Sequence, residues 1–289
     1  MKLTLLGTGT PEPSLVRQSS GYIVEIGSDR LVFDGGPGSY HRFLEAGYQP
    51  TDTTHVFFTH YHYDHCIEYP RMVLQRWDIG AGKVPDLEVF GPAPLAKITD
   101  QLFGEDGVFS HDLRARTENP SSLFVYQQRG GVLPRVKPKP RVREVKPGDV
   151  ISGNGWTVRV GEGRHFQPQL ECYGYRIDTK AGSLCYAGDS GAECASMIEL
   201  AQGADVLVHM LQMETGTEPP GDFRFCNGTH LDVARLAAAA QVRTLVATHI
   251  GHRIDQPRTR ERLIAEMTRE FSGVIIWGAD LMTIPIGVG

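Results

Sequence analysis

Cysteine is scarce in this sequence of 289 residues, which has five cysteines and no CxxC pair. An odd number of scattered cysteines argues against a disulfide framework and fits reduced thiols. No stretch approaches the roughly 18 to 20 apolar residues that cross a bilayer. The apolar stretch in MKLTLLGTGT (1–10) is too short for the core of a signal peptide. These absences predict a cytoplasmic protein without a membrane partner.

The sequence also has no excess of basic residues. Its formal net charge is -5 at pH 7, from 29 Lys and Arg against 34 Asp and Glu. This balance argues against a protein that coats nucleic acid or an anionic membrane, because those partners usually select a basic face. A hydrophobic content of 40% suffices for a full core in one large α/β domain or two smaller ones.

Short apolar runs that alternate with helical stretches make up most of the chain. The runs LTLLG (3–7), RLVFDGG (30–36), THVFFTH (54–60), SLCYAGD (183–189) and RTLVATH (243–249) are typical of strands. Helical composition is found at 38–47, 66–77, 191–202, 229–240 and 256–271. Many strands with several helices predict two sheets packed face to face between helices, a four-layer α/β sandwich.

Residues 104–148 differ from the rest of the chain. They contain an Arg pair, Arg114 and Arg116, and end in the run PRVKPKPRVR (134–143), whose prolines forbid a regular helix. We predict that this region is an inserted lid or loop with an extended basic ribbon at its end.

The stretch THYHYDHC (59–66) carries four metal-ligand side chains directly after an apolar strand: His60, His62, Asp64 and His65. A loop at the end of a strand can aim several side chains at one point. Imidazoles suit zinc and other borderline divalent metals, and a carboxylate suits a second ion nearby. The HxHxDH spacing therefore predicts a metal site.

Further ligand-type residues end other apolar strands. Asp34 ends RLVFD, His165 follows WTVRVGEGR, Asp189 ends SLCYAGD, and His249 ends RTLVATH. Each residue alone is more typical of a cap or a loop. Their shared placement predicts that they join the HxHxDH cluster.

An early Asp, HxHxDH, His, Asp and His in this order resemble the five motifs of the metallo-β-lactamase superfamily, and they span nearly the whole chain. The resemblance implies a single domain over 1–289 with an αββα sandwich and two zinc ions, although such sites also accept manganese or iron. One ion is then held by His60, His62 and His165. The other is held by Asp64, His65 and His249, Asp189 bridges the two ions, and Asp34 orients a ligand imidazole.

Two divalent cations about 3.5–4 Å apart share a water, lower its pKa from about 16 to about 7, and clamp the attacking and leaving oxygens of a displacement. The predicted reaction is hydrolysis of an ester by metal-bound hydroxide. Asp64 is expected to hydrogen-bond this hydroxide while it ligates, which makes it a candidate catalytic residue.

Within the superfamily the sequence is most similar to the RNase Z and arylsulfatase-like branch. The similarity rests on LLGTGTPEPSLVRQSSGYIV (5–24), Asp rather than Cys at position 189, GYRID (174–178) and GTH (228–230). It implies that His230 acts as a general acid or transition-state stabiliser. THIGHR (248–253) resembles the branch's THxSxRY motif, so Arg253 is expected to contact an anionic group of the substrate. The branch's frequent dimers imply a homodimer.

Two departures from RNase Z favour a small-molecule substrate. Met210 stands where the HEAT motif of RNase Z has a glutamate, which removes the obvious partner of His230. The short segment between His165 and Asp189 has no room for the arm that many RNase Z enzymes use to bind tRNA. Together with the acidic net charge, these features predict a phosphodiester, sulfate ester, lactone or other carboxyl ester of a small molecule as the substrate, and they argue against a nucleic-acid partner without excluding one.

Two alternatives remain open at this stage. A tRNA 3′-processing endonuclease is favoured by the basic residues that could contact tRNA phosphates, namely Arg114, Arg116, Arg135, Lys137, Lys139, Arg141 and Arg143. A zinc-binding protein without catalysis is favoured by Met210 alone, and the complete ligand set argues against it.

Overall fold

The computed structural model describes residues 1–221 and 223–287. Its first sheet contains β1 (Lys2–Gly7), β2 (Gly21–Ile26), β3 (Asp29–Phe33), β4 (His55–Phe57), β5 (Glu88–Gly91), β6 (Arg141–Glu144) and β14 (Thr283–Pro285). Its second sheet contains β7 (Val150–Ser152), β8 (Trp156–Glu162), β9 (Tyr173–Thr179), β10 (Gly182–Tyr186), β11 (Val206–Met210), β12 (Thr244–Thr248) and β13 (Val274–Trp277).

The helices are α1 (Ser39–Glu45), α2 (Tyr63–Cys66), α3 (Tyr69–Gly80), α4 (Leu95–Phe103), α5 (Ser110–Glu118), α6 (Pro120–Gln128), α7 (Ala195–Ala201), α8 (Phe223–Cys226), α9 (His230–Ala239) and α10 (Pro257–Glu270). None of the helices in the described part of the chain is long and apolar enough to span a bilayer.

Each sheet has an antiparallel half and a parallel half. The first sheet has the order β14-β1-β2-β3-β4-β5-β6, and its strands are parallel from β3 to β6. The second has the order β13-β12-β11-β10-β9-β8-β7, and its strands are parallel from β10 to β13. The carboxyl ends of the parallel strands therefore meet at one edge of each sheet, where loops carry side chains toward one another.

Three buried clusters separate the layers. Between the sheets, Phe33 and Phe57 of the first sheet pack with Tyr175 and Tyr186 of the second. A second cluster joins α7, α9 and α10 to the outer face of the second sheet. A third joins α1, α3 and α4 to the outer face of the first. This order of helices, sheet, sheet and helices confirms the predicted four-layer sandwich.

The region predicted as an irregular lid, 104–148, contains regular structure. It forms α5 and α6 and then adds β6 to the first sheet. Asn119 caps α6, because its side chain accepts a hydrogen bond from the Ser121 amide, and Pro120 occupies the first turn. The segment packs on the outer helix layer, where Trp77 of α3 donates a hydrogen bond to the Val136 carbonyl. A lid function for this segment stays a prediction.

Candidate metal centre

The predicted ligands meet where the strand ends of the two sheets face one another. Asp34 follows β3, and the HxHxDH motif follows β4 in the first sheet. His165, Asp189 and His249 follow β8, β10 and β12 in the second sheet. All of these residues are buried except His62, which is half-buried. The candidate centre is thus built from both sheets.

Three histidines and Asp189 form one group of donors, whose ligand atoms all lie within 4.8 Å of one another. The Nδ1 atom of His62 lies 3.0 Å from Nε2 of His60 and 3.2 Å from Nε2 of His165. Nε2 of His60 and Nε2 of His165 each lie 3.9 Å from Oδ2 of Asp189.

Asp64, His65, His249 and Asp189 form a second group within the same 4.8 Å limit. Nε2 of His65 and Nε2 of His249 each lie 3.2 Å from Oδ2 of Asp189. Oδ2 of Asp64 lies 3.5 Å from the first of these nitrogens and 3.3 Å from the second. Asp189 therefore belongs to both groups.

Asp34 lies outside the two donor groups and holds His65 in place. Its Oδ2 accepts a hydrogen bond from the hydroxyl of Tyr186 at 2.6 Å and lies 2.8 Å from Nδ1 of His65. The amide and hydroxyl of Thr59 each donate to the same carboxylate at 2.8 Å. With Nδ1 fixed by Asp34, Nε2 of His65 points into the second donor group, as expected for a carboxylate that orients a ligand imidazole.

Other ligand rings are oriented in a similar way. Nδ1 of His165 donates to the Cys226 carbonyl at 2.7 Å. Nδ1 of His60 lies 2.9 Å from the Thr59 hydroxyl. Each contact leaves the Nε2 atom of its ring directed at the first donor group.

The protonation states of the first donor group suit a cation. Burial lowers the pKa of His165, and burial together with the neighbouring His65 holds the pKa of His60 well below its usual range, so both rings are neutral. Burial alone raises the pKa of a carboxyl, but the adjacent His249 and His65 rings hold the pKa of Asp189 well below its usual range. Neutral imidazoles and an ionised carboxylate are the forms that bind metals.

His65 provides a further test of the fit to a metal. Its Nε2 atom is buried and has no hydrogen-bond partner in the described structure, although it faces Asp189 and Asp64. The carboxylates of Asp189 and Asp34 outweigh burial and hold the pKa of His65 well above its usual range. A raised pKa means that the ring keeps a proton on each nitrogen. A cation between this ring and Asp189 would displace the proton on Nε2 and satisfy the unpaired nitrogen. The donor set therefore fits divalent metal ions.

His230, the predicted general acid, is the first residue of α9 and has partners on both ring nitrogens. Nδ1 accepts a hydrogen bond from the Thr215 amide at 3.0 Å, and Nε2 lies 2.9 Å from Oε2 of Glu266 on α10. The expectation that Met210 leaves this ring without an acidic partner is therefore corrected. Met210 is buried, and Glu266 provides the carboxylate from a different helix.

Arg253 is exposed and lines a cleft of 540 Å³. The cleft lies between the loops at 10–12, 212–219 and 251–254, and the last of these loops begins two residues after His249. This position is compatible with the predicted contact between Arg253 and an anionic substrate group.

Several members of the predicted basic ribbon are paired with carboxylates. Arg135 is buried and contacts Asp78, which also pairs with Arg116. Lys137 pairs with Glu105 at 2.8 Å. Arg141 pairs with Asp86 and Glu88. These pairings neutralise much of the surface that the sequence offers to tRNA phosphates.

Sequence reasoning missed the residues that hold the predicted ligands. Thr59 directly precedes the HxHxDH motif, so its position was a readable signal. Tyr186, Cys226 and Glu266 come from other elements and meet their histidine or aspartate partners only through the fold. Backbone carbonyls such as that of Cys226 carry no sequence signal at all.

A family model described as a beta-lactamase superfamily domain matches residues 29–250. Ribonuclease Z of Mycobacterium bovis is 29% identical over 293 residues, which cover 99% of this chain and 98% of the relative. Ribonuclease Z of Methanothermobacter thermautotrophicus is 28% identical over 312 residues, which cover 99% of this chain and 97% of the relative.

Solved structures share the fold over the same length. The metallo-beta-lactamase fold protein YhfI from Bacillus subtilis has a TM-score of 0.73 at 18% identity, and the match covers 98% of each chain. The short form of human tRNase Z has a TM-score of 0.68 at 18% identity, and the match covers 100% of each chain.

These relatives confirm the prediction of a metal-dependent hydrolase that acts on ester bonds. The prediction of a small-molecule ester as the partner, with nucleic acid unlikely, is wrong, because the curated relatives are ribonucleases and a structural neighbour is a tRNase. The homodimer and the cytoplasmic location stay predictions. A family model over residues 29–250, five motifs in order and an αββα sandwich together establish that the chain belongs to the beta-lactamase superfamily.

Proposed function

We propose that this chain is a dinuclear zinc-dependent phosphodiesterase of the Ribonuclease Z type. Its reaction is the hydrolysis of a phosphodiester bond in RNA, such as the bond that joins the 3′ trailer to a precursor tRNA. The observation that carries the proposal is the shared carboxylate: Asp189 belongs to two donor groups at once. A carboxylate between two such groups is suited to hold two cations at the separation that phosphodiester hydrolysis uses.

Each donor group has its own proposed role. His60, His62 and His165 would hold one ion, Asp64, His65 and His249 would hold the other, and Asp189 belongs to both donor groups. When bound, the ions supply Lewis acidity toward a phosphodiester oxygen and activate water. The first group is rich in imidazole and the second has two carboxylates, a difference in softness that allows manganese or iron in place of zinc.

The remaining residues orient ligands and substrate. Asp34 keeps the His65 ring aligned through its contact with Nδ1. Asp64, whose Oδ2 atom lies 3.3 Å from Nε2 of His249, would hydrogen-bond the attacking water while it ligates. Arg253 offers a guanidinium to a phosphate from the rim of the cleft. His230 would assist the leaving group only after its ring releases Thr215 or Glu266, because these two residues engage both of its ring nitrogens.

RNA is the substrate class that the relatives favour, because the curated matches across nearly the whole chain are named Ribonuclease Z. The acidic net charge does not oppose this proposal, because phosphate recognition depends on the charge beside the scissile bond and not on the sum over the chain.

The test is a cleavage assay on a precursor tRNA with a 3′ trailer, with metal content measured on the same sample. We expect cleavage and two metal ions per chain for the unaltered protein. Asp189→Ala and His65→Ala should abolish cleavage and lower the metal content, because each removes a donor to the centre. His230→Ala should lower the rate while both ions stay bound. Asp106→Ala, which removes an exposed carboxylate outside the five motifs, is the control.

Two outcomes would overturn the proposal. An Asp189→Ala variant that keeps two ions and full activity would refute the shared role of that carboxylate. A metal-loaded sample that cleaves bis(p-nitrophenyl) phosphate but leaves the precursor tRNA intact would refute RNA as the substrate.

A further inference from the structure

Phe166 exposes an aromatic ring at the edge of the candidate centre. Phe166 is 40% exposed as a residue, whereas the large aromatic residues of the core are buried. The ring centroid lies 4.3 Å from that of His165 and 5.6 Å from that of His62. One side of this ring therefore covers two proposed metal ligands, and the rest is open to solvent beside the proposed reaction site.

The loop that carries Phe166 is held in place by hydrogen bonds. The Gly191 amide donates to the Arg164 carbonyl at 2.7 Å, which ties the loop to the turn after Asp189. The side-chain carbonyl of Gln167 accepts a hydrogen bond from the His165 amide at 2.8 Å. These bonds fix the backbone around Phe166, and the packing of its ring on His165 and His62 orients the ring, which lowers the entropy cost of binding a flat ligand.

Arg164 places a cation on the same loop. Its side chain is exposed, and its guanidinium carbon lies 4.8 Å from the centroid of the Phe225 ring. Stacking on a ring face fixes the guanidinium plane and does not use the N–H donors at its edge. Those donors have the geometry that binds the oxygens of a phosphate.

An aromatic face next to a cation is the arrangement that proteins use to bind single-stranded nucleic acid. The base stacks on the ring, and the cation contacts the backbone. Stacking requires a base that is not already paired and stacked in a helix, so this arrangement selects an unpaired nucleotide. It is tolerant of sequence, because every base has a π face.

We propose that Phe166 and Arg164 form a binding site for one unpaired nucleotide next to the scissile bond, with the base on Phe166 and a phosphate at Arg164. The identity of the reacting bond rests on the proposed function, whereas the binding site rests on the positions of these two side chains. If Phe166 only shields the rings of His62 and His165 from water, a leucine of similar size would serve equally well.

The experiment compares two phosphorothioate-linked RNA pentamers on the metal-loaded protein, so that binding is measured while cleavage is slow. One pentamer consists of 2-aminopurine nucleotides, and the other is abasic throughout. We expect the unaltered protein to quench the 2-aminopurine emission and to bind this strand roughly tenfold more tightly than the abasic one, a ratio typical of one base–aromatic stack.

Substitutions separate the two contacts. Phe166→Leu should lose the quenching and the preference for bases, and Phe166→Trp should retain both, with metal content unchanged. Arg164→Gln should lower the affinity for both pentamers by the same factor. It should also reduce the slope of log affinity against log salt by about 0.7, the effect of one phosphate contact on a single strand. The controls are Phe124→Leu on α6, a residue that is 61% exposed, and Arg243→Gln directly before β12, an arginine whose side chain is 82% exposed.

The outcomes distinguish this inference from the proposed function. Quenching and base preference that survive Phe166→Leu would overturn the nucleotide site, even if precursor tRNA is cleaved. Base preference that depends on Phe166 in a protein that cleaves no RNA would support the site and overturn the proposed reaction.

Discussion

Two residues of the candidate centre adopt a backbone conformation that normally belongs to glycine. Asp34 has φ 56° and His249 has φ 52°. For a residue with a Cβ atom this left-handed region costs roughly 1–2 kcal/mol. Both residues directly follow a strand, and the sharp turn is what directs their side chains into the centre. The strain is thus located where the proposed chemistry requires these side chains.

Replacing His249 tests this strain. In metal-free protein we expect His249→Gly to be more stable than His249→Ala by about 1 kcal/mol, because only alanine retains the Cβ penalty. Urea unfolding measures the difference. The same pair at Glu261, an exposed position within α10, should show the reverse order, since glycine destabilises a helix relative to alanine. If the alanine variant were the more stable one at position 249 as well as at position 261, the assignment of strain to His249 would be contradicted.

Asp34→Ala should weaken metal binding without removing a ligand. We expect an affinity loss of about 10- to 100-fold, the usual effect of losing a carboxylate that orients a ligand histidine. The substitution also leaves the buried Thr59 and Tyr186 donors without their acceptor. Competition with a chromophoric chelator measures the affinity, with Asp106→Ala as the control. An unchanged affinity would show that His65 is oriented without Asp34.

Among the elements, the 104–148 segment is joined to α3 through one carboxylate. Asp78 pairs with Arg116 at 3.2 Å and with Arg129 and Arg135 at 2.6 Å each. The guanidinium of Arg135 also lies over the ring of Trp77, with 4.0 Å between its carbon and the ring centroid. Arginines from three points of the segment thus converge on one residue of α3.

Asp78→Asn should destabilise the protein in a pH-dependent way. Burial raises the pKa of Asp78, but the hydrogen bonds from Arg135 and Arg129 outweigh it and lower the pKa below the ordinary 3.8. A carboxyl with a lowered folded-state pKa stabilises the fold above its unfolded pKa, and this contribution is lost as the pH falls through the folded pKa. We expect Asp78→Asn to lower the free energy of unfolding by about 1–3 kcal/mol at pH 7. This difference from the unaltered protein should shrink below about pH 4. Urea midpoints across this range measure it.

The control for this prediction is Asp86→Asn. The side chain of Asp86 is 47% exposed and lies 3.6 Å from Arg141. Asp86→Asn should therefore change the free energy of unfolding only slightly, both at pH 7 and at pH 3. A difference between Asp78→Asn and the unaltered protein that stays constant from pH 7 to pH 3 would contradict the charge-based account.

The elements of this fold were predictable to different degrees. The spans predicted for α9 and α10 agree closely with the structure, because Thr229 and Pro257 mark their beginnings. The helices α5 and α6 were missed, since their sequences show little apolar periodicity and tertiary contacts such as those of Asp78 stabilise them. Asn119 followed by Pro120 was nevertheless a readable start signal for α6.

At the scale of the whole molecule, the sequence predicted that the proposed ligands converge because their motifs follow strands, and strand ends converge in a layered α/β fold. Their division into two groups came from the resemblance to the superfamily. The sequence could not predict Glu266 as the partner of His230, because that contact joins two helices that are distant in the chain. The substrate class was mispredicted from Met210, from the missing arm and from the net charge. Glu266 takes the place of the acidic partner that Met210 was thought to remove, and the net charge averages over the molecule and carries no information about the surface beside the centre.

The donor groups also connect the two halves of the sandwich. His60, His62, Asp64 and His65 come from the first sheet, while His165, Asp189 and His249 come from the second. A metal bound by either group would therefore link the sheets at one edge. Its binding free energy becomes folding free energy, because the unfolded chain does not assemble the donors.

Removal of metal should therefore lower the stability of the entire domain. With free zinc at about a thousand times its dissociation constant, binding to the folded state alone adds about 4 kcal/mol, so urea unfolding in a chelator should have a clearly lower midpoint than unfolding with zinc. Asp189→Ala removes the carboxylate common to both groups, so its midpoint should respond far less to zinc. Coincident midpoints for the unaltered protein with and without zinc would mean that the two sheets are not joined through a metal.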